Sequence, residues 1–224
     1  METEIRTAKI FNEEFPNLLD RVNLSSKDIE EQVASLEYKI YPHRDREAEK
    51  DCPLFVDPFY DIIEHVGNIP SQEAFWTVYI LAQKGSGFNF LGKREAYRKG
   101  LHARITSRTY PSLIREFHFA VMLKETLDPK EYVVFYNTVL DYHNGIDVLV
   151  YNIKKKRYSS ICLYISGRYS EMQLVRKKNK RDSSIDHIEV LKNIDRAQEG
   201  IQLYTREDLM KIVRLLHQIF DTDN

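Results

Sequence analysis

The chain has 224 residues, 42% of them hydrophobic, which is enough to bury a substantial core as one large domain or as a core with an extension. Two widely separated cysteines, Cys52 and Cys162, exclude a disulfide framework and a structural zinc site, and no apolar run reaches the roughly 20 residues of a membrane helix. With an acidic opening, Met1-Glu2-Thr3-Glu4, in place of a basic signal segment, and a net charge of -1 that argues against a general polyanion binder, the expectation is a soluble, cytoplasmic protein.

Residues 1–100 read as a mainly helical N-terminal region and 101–224 as an α/β core. Ser25-Ser26-Lys27-Asp28 has the residues to cap a helix with Ile29, Val33, Leu36 and Ile40 on its apolar side. Tyr41 to Cys52 is charged and turn-rich, and Pro53 to Pro58 reads as a connector before a short helix over Phe59–Val66. Ser71 opens another helix, with Phe75, Val78, Tyr79 and Ala82 on one side. Lys84-Gly85-Ser86-Gly87 ends it; the glycines lack the Gly-Lys-Ser/Thr ending and the preceding strand of a phosphate loop.

Lys93 to Arg108 holds Lys93, Arg94, Arg98, Lys99, Arg104 and Arg108 with Tyr97 and His102 between them. Basic residues interleaved with aromatics suit a sugar-phosphate backbone, and equally suit a solvated helix face. The next helix, over Pro111–Leu127, sets Glu116 on or beside the stripe of Phe119, Ala120 and Leu123. An acid directed inward needs a partner, and a divalent metal is one candidate.

Two strand-like runs, Tyr132–Tyr142 and Ile146–Ile153, are joined through Asn144-Gly145, and a third run, Ser159–Ile165, follows. Asp147 opens the second run, alongside Leu149 and opposite in pleat to Ile146, Val148 and Val150. Between Lys154 and Arg181, ten basic residues face Glu171 alone, a net +9 over 28 residues that favours an anionic partner. Ile188–Leu191 reads as a short strand or helix, and Gly200–Tyr204 as another strand. Thr205 with Asp208 then caps a helix that buries Leu209, Ile212, Val213, Leu216 and Phe220.

Helix with Glu116, strand, strand opening with Gly145-Ile146-Asp147, strand, basic segment, strand and helix: this order over 111–220 resembles the core of the restriction-endonuclease-like, or PD-(D/E)xK, nuclease superfamily. The resemblance implies an α/β fold with a mixed central sheet flanked by helices. It implies Mg²⁺ held by Glu116 and Asp147, with Asp141 a fallback for the latter, and cleavage of phosphodiester bonds in duplex DNA. It also implies pairing as a homodimer, for which the chain offers no coiled-coil signature.

The third strand departs from the pattern. Cys162-Leu163-Tyr164 stands where an acid-x-Lys would be, so neither a carboxylate nor an ammonium occupies the expected positions. Tyr164 is then either a core aromatic or the residue at the lysine position, and Glu171 a displaced acid. Arg168, Lys177 and Lys178 are the nearest candidates after the third strand to replace the lysine, and Lys177 is the one carried forward as catalytic. Arg104, Arg108, Arg168, Arg176, Lys177, Lys178, Lys180 and Arg181 are the expected backbone contacts, which position nucleic acid without reading it. The alternative that follows from the departure is a catalytically degenerate nuclease fold acting as a nucleic-acid-binding or protein-interaction subunit.

Overall fold

The computed structural model describes residues 17–50, 57–137, 140, 145–165, 185–194 and 199–222. The chain divides into two compact units. A helical unit takes Lys27–Arg115 with Glu199–Gln202, and a sheet unit takes Met1–Ser26, Glu116–Gln198 and Leu203–Asn224.

The described helices of the first half are α1 (Leu18–Arg21), α2 (Ser26–Ser35), α3 (Arg46–Lys50), α4 (Asp57–Val66), α5 (Gln72–Gly85) and α6 (Glu95–Arg104). In the helical unit α2 buries Ile29 and Val33 as its pattern requires, but it ends at Ser35, so Ile40 lies beyond it and is 75% exposed. The turn-rich stretch after Tyr41 contains α3, which Asp45 starts by accepting from the N–H groups of Glu47 and Ala48 at 3.1 Å. Ser71 caps α5 by accepting from Ala74 N–H at 3.2 Å. The inward face of α5 is Gln72, Phe75, Tyr79 and Gln83, with Ala82 on the exposed side. Phe75 packs between Phe59 and Tyr110, with ring centroids at 5.8 and 5.6 Å.

A wide helical turn, Ile105–Thr109, joins α6 directly to α7 (Tyr110–Thr126) with π-type bonding. Pro111 explains it. Having no N–H, Pro111 cannot bond the carbonyl of Ser107 four residues back, and Tyr110 N–H reaches past Thr106 to Ile105. The released carbonyls find side chains instead: Tyr38 hydroxyl donates to Ser107 O at 2.8 Å and Gln72 Nε2 donates to Thr106 O at 3.0 Å. Gln72 also donates to Lys39 O and accepts from Lys39 N–H, and Ser107 Oγ accepts from Tyr41 N–H at 2.8 Å. The segment after α2 is thereby fastened to the wide turn, and every group the proline frees is satisfied.

In the sheet unit the described strands are β1 (Tyr132–Phe135), β2 (Val148–Asn152), β3 (Arg157–Ile165) and β4 (Asp186–Lys192), and the closing helix is α8 (Arg206–Asp221). The fold is mixed α/β, a four-stranded sheet in the order β1-β2-β3-β4 flanked by helices. β1, β2 and β3 pair antiparallel in succession, and β4 runs parallel to β3. The β2–β3 turn is closed by Asn152 Oδ1, which accepts from Lys155 N–H at 2.9 Å, and Lys156 takes a left-handed φ of 53° there.

Three strand expectations are corrected. Within the run Tyr132–Tyr142, Tyr132–Phe135 is strand and Leu140 is helical, while residues 138, 139, 141 and 142 lie outside the described residues. The run Ile146–Ile153 is strand only over Val148–Asn152, and Asn144 of the expected Asn144-Gly145 turn lies outside the described residues. A twelve-residue connector lies between β1 and β2; in it Asn137 Oδ1 accepts from Leu140 N–H and Ile146 N–H donates to Leu140 O. Gly145 takes a φ of 64°, which a side chain would resist. The segment Gly200–Tyr204 forms no strand: Gly200 turns at φ 85° and the stretch runs as coil into α8.

The end of the chain behaves as its sequence dictates. Thr205 Oγ1 accepts from Asp208 N–H while the Asp208 carboxylate accepts from Thr205 N–H, a complete capping box. The spacing of Leu209, Ile212, Val213, Leu216 and Phe220 buries one face of α8. Phe220 meets Tyr132 of β1 at 5.9 Å. The outer rim of β1 is covered by the start of α1: Asn17 Nδ2 donates to Val134 O at 2.8 Å, Tyr136 N–H donates to Asn17 Oδ1 at 3.0 Å, and Leu18 N–H donates to Tyr136 O at 3.1 Å.

Candidate functional site

Asp147 sits one residue before β2 and is 1% exposed. Its Oδ2 accepts from the main-chain N–H of Leu163 on β3 at 2.7 Å. The register pairs Val148 with Ile161, so Asp147 stands just past the last β2–β3 pair, where β3 continues and β2 has ended. The carboxylate replaces the missing strand residue as hydrogen-bond acceptor, which fixes its position at the mouth of the sheet. Beside it, Cys162 donates its thiol hydrogen to Gly145 O at 3.4 Å, so the Gly145-Ile146-Asp147 segment is held to β3 from both ends.

Glu116 lies on α7, in the sheet unit, and is 9% exposed. The next residue, Phe117, packs on Tyr136 at 5.9 Å between ring centroids. The turn carrying Glu116 therefore lies beside the chain as it leaves β1, at the end of the sheet where Asp147 precedes β2. Tyr164 is buried in β3, and its carbonyl accepts from the Tyr204 hydroxyl at 3.4 Å. Between Tyr158 and Ile165 neither face of β3 carries an acid or an amine.

The remaining expected residues separate into two groups. Arg104 and Arg108 are half-buried in the helical unit, on α6 and in the wide turn. Asp141, Arg168, Glu171, Arg176, Lys177, Lys178, Lys180 and Arg181 lie outside the described residues. Within the basic stretch ahead of α7, Arg94 pairs with Asp45 at 2.9 Å and with Glu47 at 3.2 Å, and Lys99 pairs with Glu95. Lys93 lies 4.9 Å from the Tyr97 ring centroid. In the other basic run, Lys154 pairs with Glu131 and Arg157 with Asp186. Those cations are partly neutralised by acids that the linear charge count left out.

One residue that motif reading overlooked belongs to this end of the sheet. Asn137 is 7% exposed and its Nδ2 has no hydrogen-bond partner among the described residues. Nothing in a lone asparagine after a strand marks it; its burial with an unused donor does. Among the described residues no three His, Cys, Asp or Glu side chains gather into a metal-binding group. Hard carboxylate oxygens nevertheless suit Mg²⁺, which is commonly held by one or two carboxylates with waters and phosphate oxygens completing its shell.

No family model, curated protein or solved structure matches the chain. No helix among the described residues is long and apolar enough to cross a membrane.

Proposed function

We propose that this protein is a metal-dependent endonuclease cleaving phosphodiester bonds of DNA on a restriction-endonuclease-like core. The observation that carries the reading is the buried carboxylate of Asp147, anchored by the Leu163 N–H at the point where β2 ends. Further support comes from the strand order, the parallel fourth strand and the buried Glu116 near the same end of the sheet.

In this reading Glu116 and Asp147 hold Mg²⁺, which supplies Lewis-acid activation of water and charge neutralisation at the phosphate. Asp147 contributes a preset geometry, since one oxygen is already fixed and reorganisation is small. The basic residues between Arg168 and Arg181 grip the backbone, and Lys177 supplies the ammonium absent from β3.

The test is nicking of supercoiled plasmid by the full chain with Mg²⁺ or Mn²⁺. Asp147→Asn keeps an oxygen for Leu163 N–H and is expected to abolish nicking while leaving the fold intact. Cleavage that survives this change overturns the assignment.

A second reading is favoured by the run Tyr158–Ile165, which is uncharged on both faces. There the fold is catalytically degenerate and serves as a nucleic-acid-binding subunit. Salt-sensitive DNA binding without cleavage in either metal would select it.

A further inference from the structure

Asn137 carries a hydrogen-bond donor that nothing among the described residues takes. Its Oδ1 accepts from Leu140 N–H at 3.0 Å, and its Nδ2 is buried with no partner. A buried donor left unmade is costly, so it calls for an explanation. Its place in the sheet supplies one.

The β1–β2 register pairs Val134 with Val150 and Phe135 with Leu149. Asn137 lies two residues past Phe135 and Asp147 two residues before Leu149, so both stand at the same end of the sheet. Tyr136, between Phe135 and Asn137, turns its N–H and carbonyl outward, to Asn17 and Leu18. Asn137 Nδ2 nevertheless makes no bond to the Asp147 carboxylate, whose Oδ2 is held by Leu163.

We infer that Asn137 is a substrate-positioning residue, its Nδ2 donating to a non-bridging oxygen of a nucleic-acid phosphate beside Asp147. The inference rests on the reading of this sheet end as a phosphodiester site. It assigns to the β1 side of Asp147 a donor of the kind that β3 lacks on the other side. An amide donor preset in a buried site orients a phosphate oxygen and favours charge developing on it.

The experiment uses the full chain with a short DNA duplex and Ca²⁺ in place of Mg²⁺, a substitution intended to permit binding without cleavage. The Asn137 side-chain amide resonances are followed by ¹⁵N NMR. In parallel, plasmid nicking with Mg²⁺ is measured for wild type, Asn137→Ser and Asn137→Asp. Ser and Asp both keep an oxygen for Leu140 N–H; the urea midpoint of Asn137→Ser is expected near wild type, and that of Asn137→Asp lower, because it adds a buried carboxylate at the end of the sheet that holds Asp147.

The expected result is a duplex-dependent shift of the Asn137 amide and a tenfold or greater loss of nicking in both variants. Amide resonances that ignore the duplex while wild type nicks DNA overturn the role of Asn137 and leave the endonuclease reading standing. A duplex-dependent shift without wild-type nicking supports the phosphate contact and removes the endonuclease reading. Resonances that ignore the duplex in a protein that does not nick overturn both.

Discussion

The main-chain N–H of Leu163 donates to Oδ2 of Asp147 at 2.7 Å, across the point where β2 stops and β3 continues. One side chain thus serves the sheet and the candidate site together. Asp147→Ala would leave a buried N–H without an acceptor and is expected to lower stability by about 1–3 kcal/mol in urea unfolding. Asp147→Asn retains an oxygen and is expected to unfold close to wild type. Equal losses in the two variants would show that the Leu163 bond contributes nothing of its own.

The wide turn before α7 offers a double-mutant cycle. Tyr38→Phe removes the donor to Ser107 O and is expected to cost about 1 kcal/mol in the wild-type background. Pro111→Ala gives residue 111 an N–H that can bond Ser107 O, so the same tyrosine change is expected to cost less there. Identical costs in both backgrounds, by urea unfolding, would separate the proline from the turn.

Gly100 on α6 is a close-approach position. A Cβ built there meets Asp45 Cβ at 2.4 Å and Asp45 N at 2.9 Å, and the latter is main chain that cannot swing aside. Gly100→Ala is therefore expected to destabilise the helical unit by about 1–3 kcal/mol, despite the usual gain from replacing glycine inside a helix. A rise in the thermal midpoint on this substitution would refute the contact.

The capping box of α8 predicts an acid-sensitive contribution. Burial alone would raise the Asp208 carboxyl, but bonds from the Thr205 N–H and hydroxyl, with the Lys192 ammonium at 3.5 Å, hold it below the usual range. A lowered folded pKa means stability that is complete above the unfolded value, about 3.9, and is lost as pH falls through the folded value. Wild type should lose its advantage over Asp208→Ala across that acid window. A stability difference independent of pH between 6 and about 2 would contradict the assignment.

Legibility in the sequence followed the range of the interactions. The capping box and stripe of α8, the Ser71 cap and the third strand all rest on residues a few positions apart, and they stand where periodicity put them. Asn144-Gly145 misled because that dipeptide suits a two-residue hairpin, whereas β1 stops at Phe135 and a longer connector intervenes. The helical pattern through Ile40 outran α2 because Gln72 and Ser107, distant in sequence, capture the following segment at Lys39 and Tyr41. Asp147 was visible as a residue opening a strand; its anchoring by Leu163 was not. Asn137 was not visible at all, since its buried, unused donor appears only once the chain is folded.

Asn17 has a consequence for handling the molecule. By occupying Val134 O and Tyr136 N–H it closes a rim that would otherwise offer a ready template to any extended peptide. A version of the chain trimmed past Arg21 would uncover that template. Such a product is expected to self-associate in a concentration-dependent way, so the boundary chosen for expression decides whether the purified material stays dispersed.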